Sequence, residues 1–198
     1  AENTTLHKKY AGGHITMVGA NSASGLASRP IRILLCDEVD RYPPSAGSEG
    51  DPILLGRKRT TTFWNRKIIM TSTPTIKGLS RIEKAYEESD KRVFLVPCPD
   101  CNQKQELKWQ QITWLDKQPE TAALSCVHCG TIIPESKKQW LLQNGEWSAQ
   151  KPNAKKVGFH ISELYSPFRT WVELVEDFLE AKKSPELLQT FINTTLGE

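Results

Sequence analysis

The fold class of this chain is decided by the stretch Ile31-Arg32-Ile33-Leu34-Leu35-Cys36-Asp37-Glu38-Val39-Asp40. Five of its first six residues are apolar, and two adjacent carboxylates follow them. A continuous apolar run is typical of a strand buried on both faces, as in a parallel sheet. Acids at the end of such a strand lie at the carboxyl edge of the sheet, where open α/β folds bind ligands. The stretch therefore predicts a ligand site around Asp37 and Glu38.

Further strands and helices are predicted downstream. A second apolar run, residues 67–75, ends in a hydroxyl-rich turn, and Val93–Val96 has the character of a third strand. Asp51-Pro52 favours a helix start before the second run, and Ser80 to Glu83 forms a capping box before the third. This strand–helix–strand–helix–strand order predicts an α/β domain with a largely parallel sheet.

The acid pair has the pattern of a Walker B element. In such an element the first acid, Asp37, holds the magnesium of a nucleoside triphosphate, and the second, Glu38, polarises the attacking water. Ser72 and Thr73 end the neighbouring strand, where hydroxyls can sense the γ-phosphate. Each feature also has a simpler interpretation, because acids and Ser/Thr turns are common in solvated loops. Cys36, within the run, is most simply a small core residue.

Arg29 precedes the apolar run and is followed by a proline. An arginine at the rim of an ATPase site can stabilise transition-state charge, in its own subunit or in a neighbouring one. A surface arginine without such a role is the alternative. The usual companion of a Walker B strand is missing, since no G-x-x-x-x-G-K-[ST] phosphate-binding loop occurs in the sequence.

Four of the five cysteines occur in two Cys-x-x-Cys pairs that are separated by 24 residues. Two such pairs suit tetrahedral zinc, and four thiolates leave no open position for catalysis. Gly130, directly after the second pair, permits a tight turn. The spacing therefore predicts a structural zinc ribbon whose ligands are Cys98, Cys101, Cys126 and Cys129. We expect His128 to point away from the metal, and a redox dithiol is the weaker alternative.

Composition excludes several classes of protein. The chain has 198 residues, of which 38% are apolar and 25% charged, as in an ordinary globular domain. No apolar run approaches the ~20 residues of a membrane span. A net charge of +3 permits contact with nucleic acid without arguing for it.

In combination, these motifs resemble one family, the large terminase subunit of tailed phages of the lambda-like GpA type. The resemblance covers nearly the whole chain. It is carried in order by residues 19–30, LLCDEVDRYP at 34–43, TSTPT at 71–75, the two cysteine pairs, and FINTTLGE at 191–198.

The resemblance implies a partial P-loop-type (RecA-like) sheet with an inserted zinc ribbon and carboxyl-terminal helices. Residues 1–97 would be the second part of an ATPase domain, 98–133 the ribbon, and 134–198 a helical and strand segment leading toward a nuclease domain. Asp37 and Glu38 would be the Walker B acids, Thr71–Thr75 the coupling motif, and Arg29 a trans-acting arginine finger. The phosphate-binding loop would lie upstream, so we expect this chain alone not to hydrolyse ATP.

The same resemblance implies a biological setting. Large terminases package double-stranded viral DNA into capsids with an ATPase that uses magnesium and ATP, and they cut concatemers with a nuclease. The expected partners are that DNA, the small terminase subunit, the portal or procapsid, and further copies in an oligomeric motor. The expected location is the host cytoplasm, without membrane attachment.

Two other functions remain open on sequence grounds. In the first, Asp37, Glu38 and Asp40 bind two metals in a nuclease. In the second, the chain is a non-catalytic zinc-ribbon module that binds DNA or docks a partner, with Lys104, Lys108, Lys137 and Lys138 close to the cysteines in sequence.

Overall fold

The computed structural model describes residues 3–198, which form two compact units that divide between Ser72 and Thr73. The amino-terminal unit begins with an antiparallel hairpin of β1 (His7–Tyr10) and β2 (Gly13–Thr16). Gly12 has a positive φ in the connecting turn, which is a conformation that glycine adopts without steric cost. A short helix, α1 (Ala23–Ala27), follows, and the Ser22 side chain caps it.

The centre of this unit is a pair of parallel strands with one helix beside them. The strands are β3 (Ile33–Cys36) and β4 (Lys67–Met70), with Leu34 opposite Ile68. Between them in sequence lies α2 (Pro52–Lys58), whose cap Asp51 accepts a hydrogen bond from the Leu54 N–H at 2.9 Å. A Cβ atom on Gly56 would lie 3.1 Å from the Leu34 side chain, so this glycine allows the helix to approach the strand closely.

The prediction that β3 is buried on both faces is wrong for the described residues. Leu34 packs toward α2 and Cys36 is buried, whereas Ile33 and Leu35 are exposed, Leu35 to 68%. Side chains alternate between the two faces of a strand, and α2 covers only one of them. The second strand has the same pattern, with Ile69 exposed.

The carboxyl-terminal unit is organised around β5 (Arg92–Pro97), which is preceded by α3 (Arg81–Glu87). This strand pairs with three others in a mixed sheet: antiparallel with β6 (Lys104–Glu106) and with β10 (Glu146–Ala149), and parallel with β11 (Phe159–His160).

The third predicted strand, β5, therefore belongs to a mixed sheet with two antiparallel partners, and not to a largely parallel one as predicted. Only six residues connect β5 to β6. Such a connection allows an antiparallel pair, whereas a parallel crossover needs a dozen residues or more. The observed fold is mixed α/β with several small sheets.

A second sheet of this unit consists of three antiparallel strands, β7 (Ile112–Leu115), β8 (Gln118–Ser125) and β9 (Ile132–Pro134). The helices that follow begin with α4 (Lys138–Gln143), after a 3-10 turn at Glu135–Lys137.

Two further helices complete the unit: α5 (Trp171–Ala181) and α6 (Pro185–Phe191), which continues into a π-helical turn at Ile192–Leu196. Trp171 is fully buried, and its indole N–H donates to the Leu164 carbonyl at 3.1 Å. The buried Tyr165 hydroxyl accepts from the Leu107 N–H and donates to the Phe94 carbonyl, both at 2.7 Å. These bonds connect α5 to the segment before it, and that segment to the sheet of β5 and β6. None of the helices in the described part of the chain has the length and apolar character of a transmembrane segment.

Candidate nucleotide site and metal centre

The register of the two parallel strands brings two turns together. The first is the acid turn, residues 37–40, and the second is the hydroxyl turn, which begins at Thr71. Cys36 is opposite Met70, so Asp37 and Thr71 leave the sheet side by side at its carboxyl edge. The backbone pairing continues beyond the strands, since the Thr71 N–H donates to the Cys36 carbonyl at 2.9 Å and the Val39 N–H to the Thr71 carbonyl at 3.2 Å. The positions of the two residues are thus fixed by main-chain hydrogen bonds.

Asp37 accepts two hydrogen bonds at this edge. The Thr71 hydroxyl donates to its Oδ1 at 2.6 Å, and the Glu38 N–H donates to the same oxygen at 3.1 Å. Both donors contact Oδ1, so among residues 3–198 these bonds leave Oδ2 open to another ligand. The carboxylate is exposed and oriented, which are the properties that a cation ligand needs.

Glu38 has a left-handed backbone conformation, with φ 55° and ψ 47°. For a residue other than glycine this conformation costs about 1–2 kcal/mol. Its side chain is half exposed and lies 3.6 Å from the Arg41 Nε in a surface ion pair of little energetic weight. Val39, which follows, is fully buried and anchors the turn. The Glu38 carboxylate is therefore accessible to solvent next to Asp37, on a turn that the buried Val39 side chain anchors.

Ser72 and Thr73 lie directly beyond Thr71. The Ser72 Oγ accepts from the Asp40 N–H at 3.2 Å, which connects the hydroxyl turn to the end of the acid-bearing turn. Thr73 is the first residue of the carboxyl-terminal unit. Of the two predicted hydroxyls, the amino-terminal unit therefore holds Ser72 beside the acid turn, and Thr73 stands at the start of the next unit.

Arg29 is not part of this cluster. It is exposed and precedes β3, whereas Asp37 and Glu38 follow it, so the whole length of the strand separates the arginine from the acids. Cys36 is buried as expected of a core residue, and burial raises the pKa of its thiol.

The four predicted zinc ligands are brought together in the carboxyl-terminal unit. Their Sγ atoms all lie within 4.8 Å of one another, and the Cys98–Cys129 and Cys101–Cys126 sulfur pairs are each separated by 3.8 Å. A tetrahedral zinc with Zn–S bonds of about 2.3 Å requires sulfur separations of about 3.8 Å. The donor set and its geometry thus fit a four-cysteine metal site.

Each Cys-x-x-Cys pair forms a tight turn, called a knuckle here, and the two knuckles have the same backbone geometry. In each, a residue with positive φ follows the second cysteine and donates its N–H to the carbonyl of the first: Asn102 to Cys98 at 3.0 Å, and Gly130 to Cys126 at 2.9 Å. Glycine adopts this conformation freely, and asparagine is among the few other residues that adopt it readily.

The residues around the cysteines support the thiolates. The His128 N–H donates to the Cys126 Sγ at 3.4 Å, while its ring lies against the Lys104 carbonyl, so the imidazole points away from the ligand set as expected. Hydrogen bonding from Thr131 lowers the pKa of the Cys129 thiol, whereas burial and hydrogen bonds with the three other thiols raise the pKa of Cys101. A thiol with a lowered pKa is more readily deprotonated, as a metal ligand must be.

Two residues of these sites were not singled out by sequence reasoning. Thr71 was included only as the first residue of the coupling motif, yet its hydroxyl is the one that contacts Asp37. Asp37 and Thr71 are each the first residue after their strand, and this shared position hints that they are neighbours. The hint can be used only when the register of the two strands is known. Asn102 occupies the first knuckle in the way Gly130 occupies the second, and the shared position after each pair could have identified it.

Two family models match the chain. Residues 1–147 match "Phage terminase large subunit gpA, ATPase domain", and this match includes the acid turn, the hydroxyl turn and both knuckles. The chain belongs to the phage terminase large subunit gpA family. Residues 156–198 match "Terminase large subunit gpA, endonuclease domain".

Two curated relatives carry the name "Terminase, large subunit". The chain is 35% identical over 222 residues to that of Enterobacteria phage P21 and 29% identical over 225 residues to that of Escherichia phage lambda. Each alignment covers all of this chain and 35% of the relative, so the chain spans about a third of the length of these proteins. No solved structure matches the chain significantly.

Proposed function

We propose that this chain is part of the ATPase of a DNA-packaging terminase, with Asp37 as the magnesium-binding acid and Glu38 as the residue that activates water. The observation that carries this proposal is the cluster at the carboxyl edge of β3 and β4, where Thr71 orients Asp37 and Glu38 stands exposed beside it. Membership of the gpA family supports ATPase chemistry for this region.

Each residue of the cluster has a separate role in the proposal. Magnesium, when bound with ATP, would neutralise charge on the phosphates. Asp37 would hold the ion, while the Thr71 hydroxyl and the Glu38 N–H keep the carboxylate in place. Glu38 would accept a proton from the attacking water. Its left-handed backbone conformation has a cost, and such conformations often occur at functional sites.

Ser72, Thr73 and Arg29 complete the proposed machinery. The Ser72–Asp40 hydrogen bond connects the coupling motif to the acid turn, so a movement of either turn would displace the other. Thr73 continues the same motif. Because β3 separates Arg29 from the acids of its own chain, we propose that it acts on the nucleotide of a neighbouring subunit.

We further propose that the metal of the four-cysteine site is zinc with a structural role. The donor set and the sulfur separations of 3.8 Å support this assignment. Four thiolates complete the coordination shell, so the metal would stabilise the chain rather than take part in the reaction.

The finer division of the chain is also a proposal. We assign residues 1–97 to a P-loop-type, RecA-like ATPase domain, 98–133 to the zinc ribbon, and 134–198 to a segment leading into a nuclease domain. The parallel pair of β3 and β4 supports the first assignment. In the longer protein we expect double-stranded viral DNA, the small terminase subunit, the portal or procapsid and further copies of the chain as partners, in the host cytoplasm.

Of the two alternatives, the two-metal nuclease at Asp37, Glu38 and Asp40 is not supported. Within residues 3–198 the four cysteines form the one group of three or more metal-ligating side chains whose ligand atoms lie together. The non-catalytic module is compatible with the ribbon, which exposes Val127 and Ile132. A non-catalytic function, however, would leave the hydrogen bond between Asp37 and Thr71 without a role.

The proposal predicts a difference between this chain and a longer protein. A protein that carries a phosphate-binding loop in addition to these residues should hydrolyse ATP with a magnesium requirement, and double-stranded DNA should stimulate it. The 198-residue chain alone should show no hydrolysis above background. Phosphate release by both proteins is the measurement, and robust hydrolysis by the chain alone would contradict the proposal.

A second prediction concerns Thr71. Thr71→Val keeps the shape of the side chain and removes the donor to Asp37. A hydrogen bond to a charged group contributes about 1.5–3 kcal/mol, so we expect the magnesium concentration for half-maximal ATP turnover to rise about 10-fold or more in the longer protein. Thr62→Val, at an exposed threonine of the same unit, is the matched control. An unchanged magnesium dependence would show that Thr71 does not position Asp37.

A further inference from the structure

The amino ends of β3 and β4 carry a surface of opposite charge to the acid turn. Residues 52–72 contain five lysines and arginines and no acid. Most of these side chains are exposed, and a neighbouring arginine precedes β3. We define the basic surface as the exposed cations Arg32, Arg57, Lys58, Arg66 and Lys67, together with Trp64.

Main-chain hydrogen bonds gather these residues in one place. The segment that joins α2 to β4, residues 59–66, folds as a series of turns, and Arg59 and Lys67 at its two ends hydrogen-bond to the residues just before β3. The Ile31 N–H donates to the Arg59 carbonyl at 3.0 Å, and the Lys67 N–H donates to the Arg32 carbonyl at 3.0 Å. The cations at the end of α2 and those at the start of β4 therefore flank residues 31 and 32.

The cations of the basic surface lack carboxylate partners within residues 3–198. In the described chain, residues 3–198, none of the five forms an ion pair with a carboxylate. Arg57 and Lys58 also suit the carboxyl end of α2, where positive charge is favourable. Arg66 and Lys67 have no such structural reason for their charge.

Trp64 lies between the two groups of cations in sequence and is 95% exposed. Aromatic residues of this size are rarely left in water without a partner, because their apolar surface gains from burial. Its indole presents a flat apolar face and one N–H donor, a combination that contacts sugars and phosphates as well as bases. Cations clustered on one face are the electrostatic footprint of a nucleic-acid surface, and Trp64 is exposed among them.

We propose that the basic surface binds the phosphate backbone of double-stranded DNA. The inference rests on the proposed packaging function and deepens it by assigning a DNA contact to named residues. Five exposed cations suit sequence-independent binding, in which Lys and Arg neutralise phosphates and release counterions. The acid turn lies at the other end of β3, roughly 15 Å away at the rise of a strand, so DNA and nucleotide would occupy opposite edges of one sheet.

The test uses the longer packaging protein and a duplex of about 30 base pairs without nucleotide. The triple variant Arg57→Gln/Lys58→Gln/Arg66→Gln removes three exposed cations and should fold normally. The slope of log affinity against log salt should become shallower by about 0.9 for each lost phosphate contact, and affinity should fall about 10-fold or more. The control Lys117→Gln/Lys155→Gln/Lys182→Gln makes the same charge change at exposed lysines of the carboxyl-terminal unit and should leave affinity and slope nearly unchanged.

Trp64 supplies an independent readout. It is the single tryptophan in residues 1–72. The difference in fluorescence between the wild-type protein and Trp64→Phe should change when the duplex is added. The same comparison is then made within the triple variant, with and without Trp64→Phe. There the fluorescence difference should not change when the duplex is added at the same concentration.

The outcomes separate this inference from the proposed function. If the protein hydrolyses ATP but the triple variant binds the duplex with wild-type affinity and salt slope, the basic surface is not the DNA contact. Loss of binding in the control variant instead would place the contact on the carboxyl-terminal unit and overturn the inference. A triple variant that keeps DNA affinity but changes oligomeric size would make the surface a subunit interface, which also overturns it. Failure of the wild-type protein to hydrolyse ATP would count against the proposed function itself.

Discussion

Replacing Cys126 with serine is expected to abolish metal binding and to unfold the ribbon. Cys126 is buried, accepts a hydrogen bond from the His128 N–H, and lies 3.8 Å from the Cys101 sulfur. Structural zinc contributes about 10–16 kcal/mol in small zinc domains, which matches or exceeds the whole stability of a typical domain, about 5–15 kcal/mol. In sequence, β7 and β8 lie between the two knuckles and β9 directly follows the second knuckle. Their sheet therefore depends on the metal that joins the knuckles.

The measurements are metal content and resistance to proteolysis. We expect about one zinc per chain in the wild-type protein and none in Cys126→Ser, with new cleavage sites between residues 98 and 134 in the variant. Removal of the metal by a chelator should give the same cleavage pattern. Cys36→Ala removes the buried cysteine that lies outside the ligand set, and it should leave metal content unchanged. A stable wild-type protein without metal would contradict the assignment.

Replacing Glu38 with glutamine should remove ATP turnover and spare ATP binding. The amide keeps the length of the side chain but cannot accept a proton from water. Positioned general bases typically contribute about 10²–10⁴-fold, and we expect a loss of kcat of about that size in the longer protein. Asp37 keeps both of its hydrogen-bond donors in this variant, because one is the Thr71 hydroxyl and the other is the backbone N–H of residue 38. Magnesium and nucleotide should therefore bind as before.

The matched control is Glu49→Gln, at an exposed acid of the same unit. It makes the same change of charge, and its kcat should equal that of the wild-type protein. Steady-state kinetics and equilibrium binding of a non-hydrolysable ATP analogue distinguish the two variants. Turnover by Glu38→Gln at the wild-type rate would refute the proposed role, and loss of nucleotide binding would show that Glu38 acts earlier than the chemical step.

Local patterns in the sequence predicted where the candidate site residues lie along the elements. The acids follow an apolar run and the cysteines are paired at short spacing, and both patterns involve adjacent residues. In the structure the acids follow β3 and the four cysteines lie together. The contact of Thr71 with Asp37 depends on the register between strands more than 30 residues apart. No local pattern states that register, so the hydroxyl that orients the acid was not identified.

The errors in the predicted fold also have physical causes. The burial of Ile33 and Leu35 cannot be inferred from their apolar character, because it depends on whether a second layer covers their face of the sheet. The strand character of Val93–Val96 was correct, but its partners were set by the six-residue knuckle that follows the strand, which favours an antiparallel return. Local sequence thus predicted the type of the element and not its place in a sheet.

The unequal exposure of the four cysteines has a consequence for how fast a bound metal could be lost. Cys98 and Cys126 are buried and belong to different knuckles, whereas Cys129 is exposed. A chelator or an oxidant would reach the Cys129 sulfur first, but one free ligand leaves three in place. Complete release would then have to wait until the two knuckles separate, and the lifetime of the metal would report the opening rate of the ribbon.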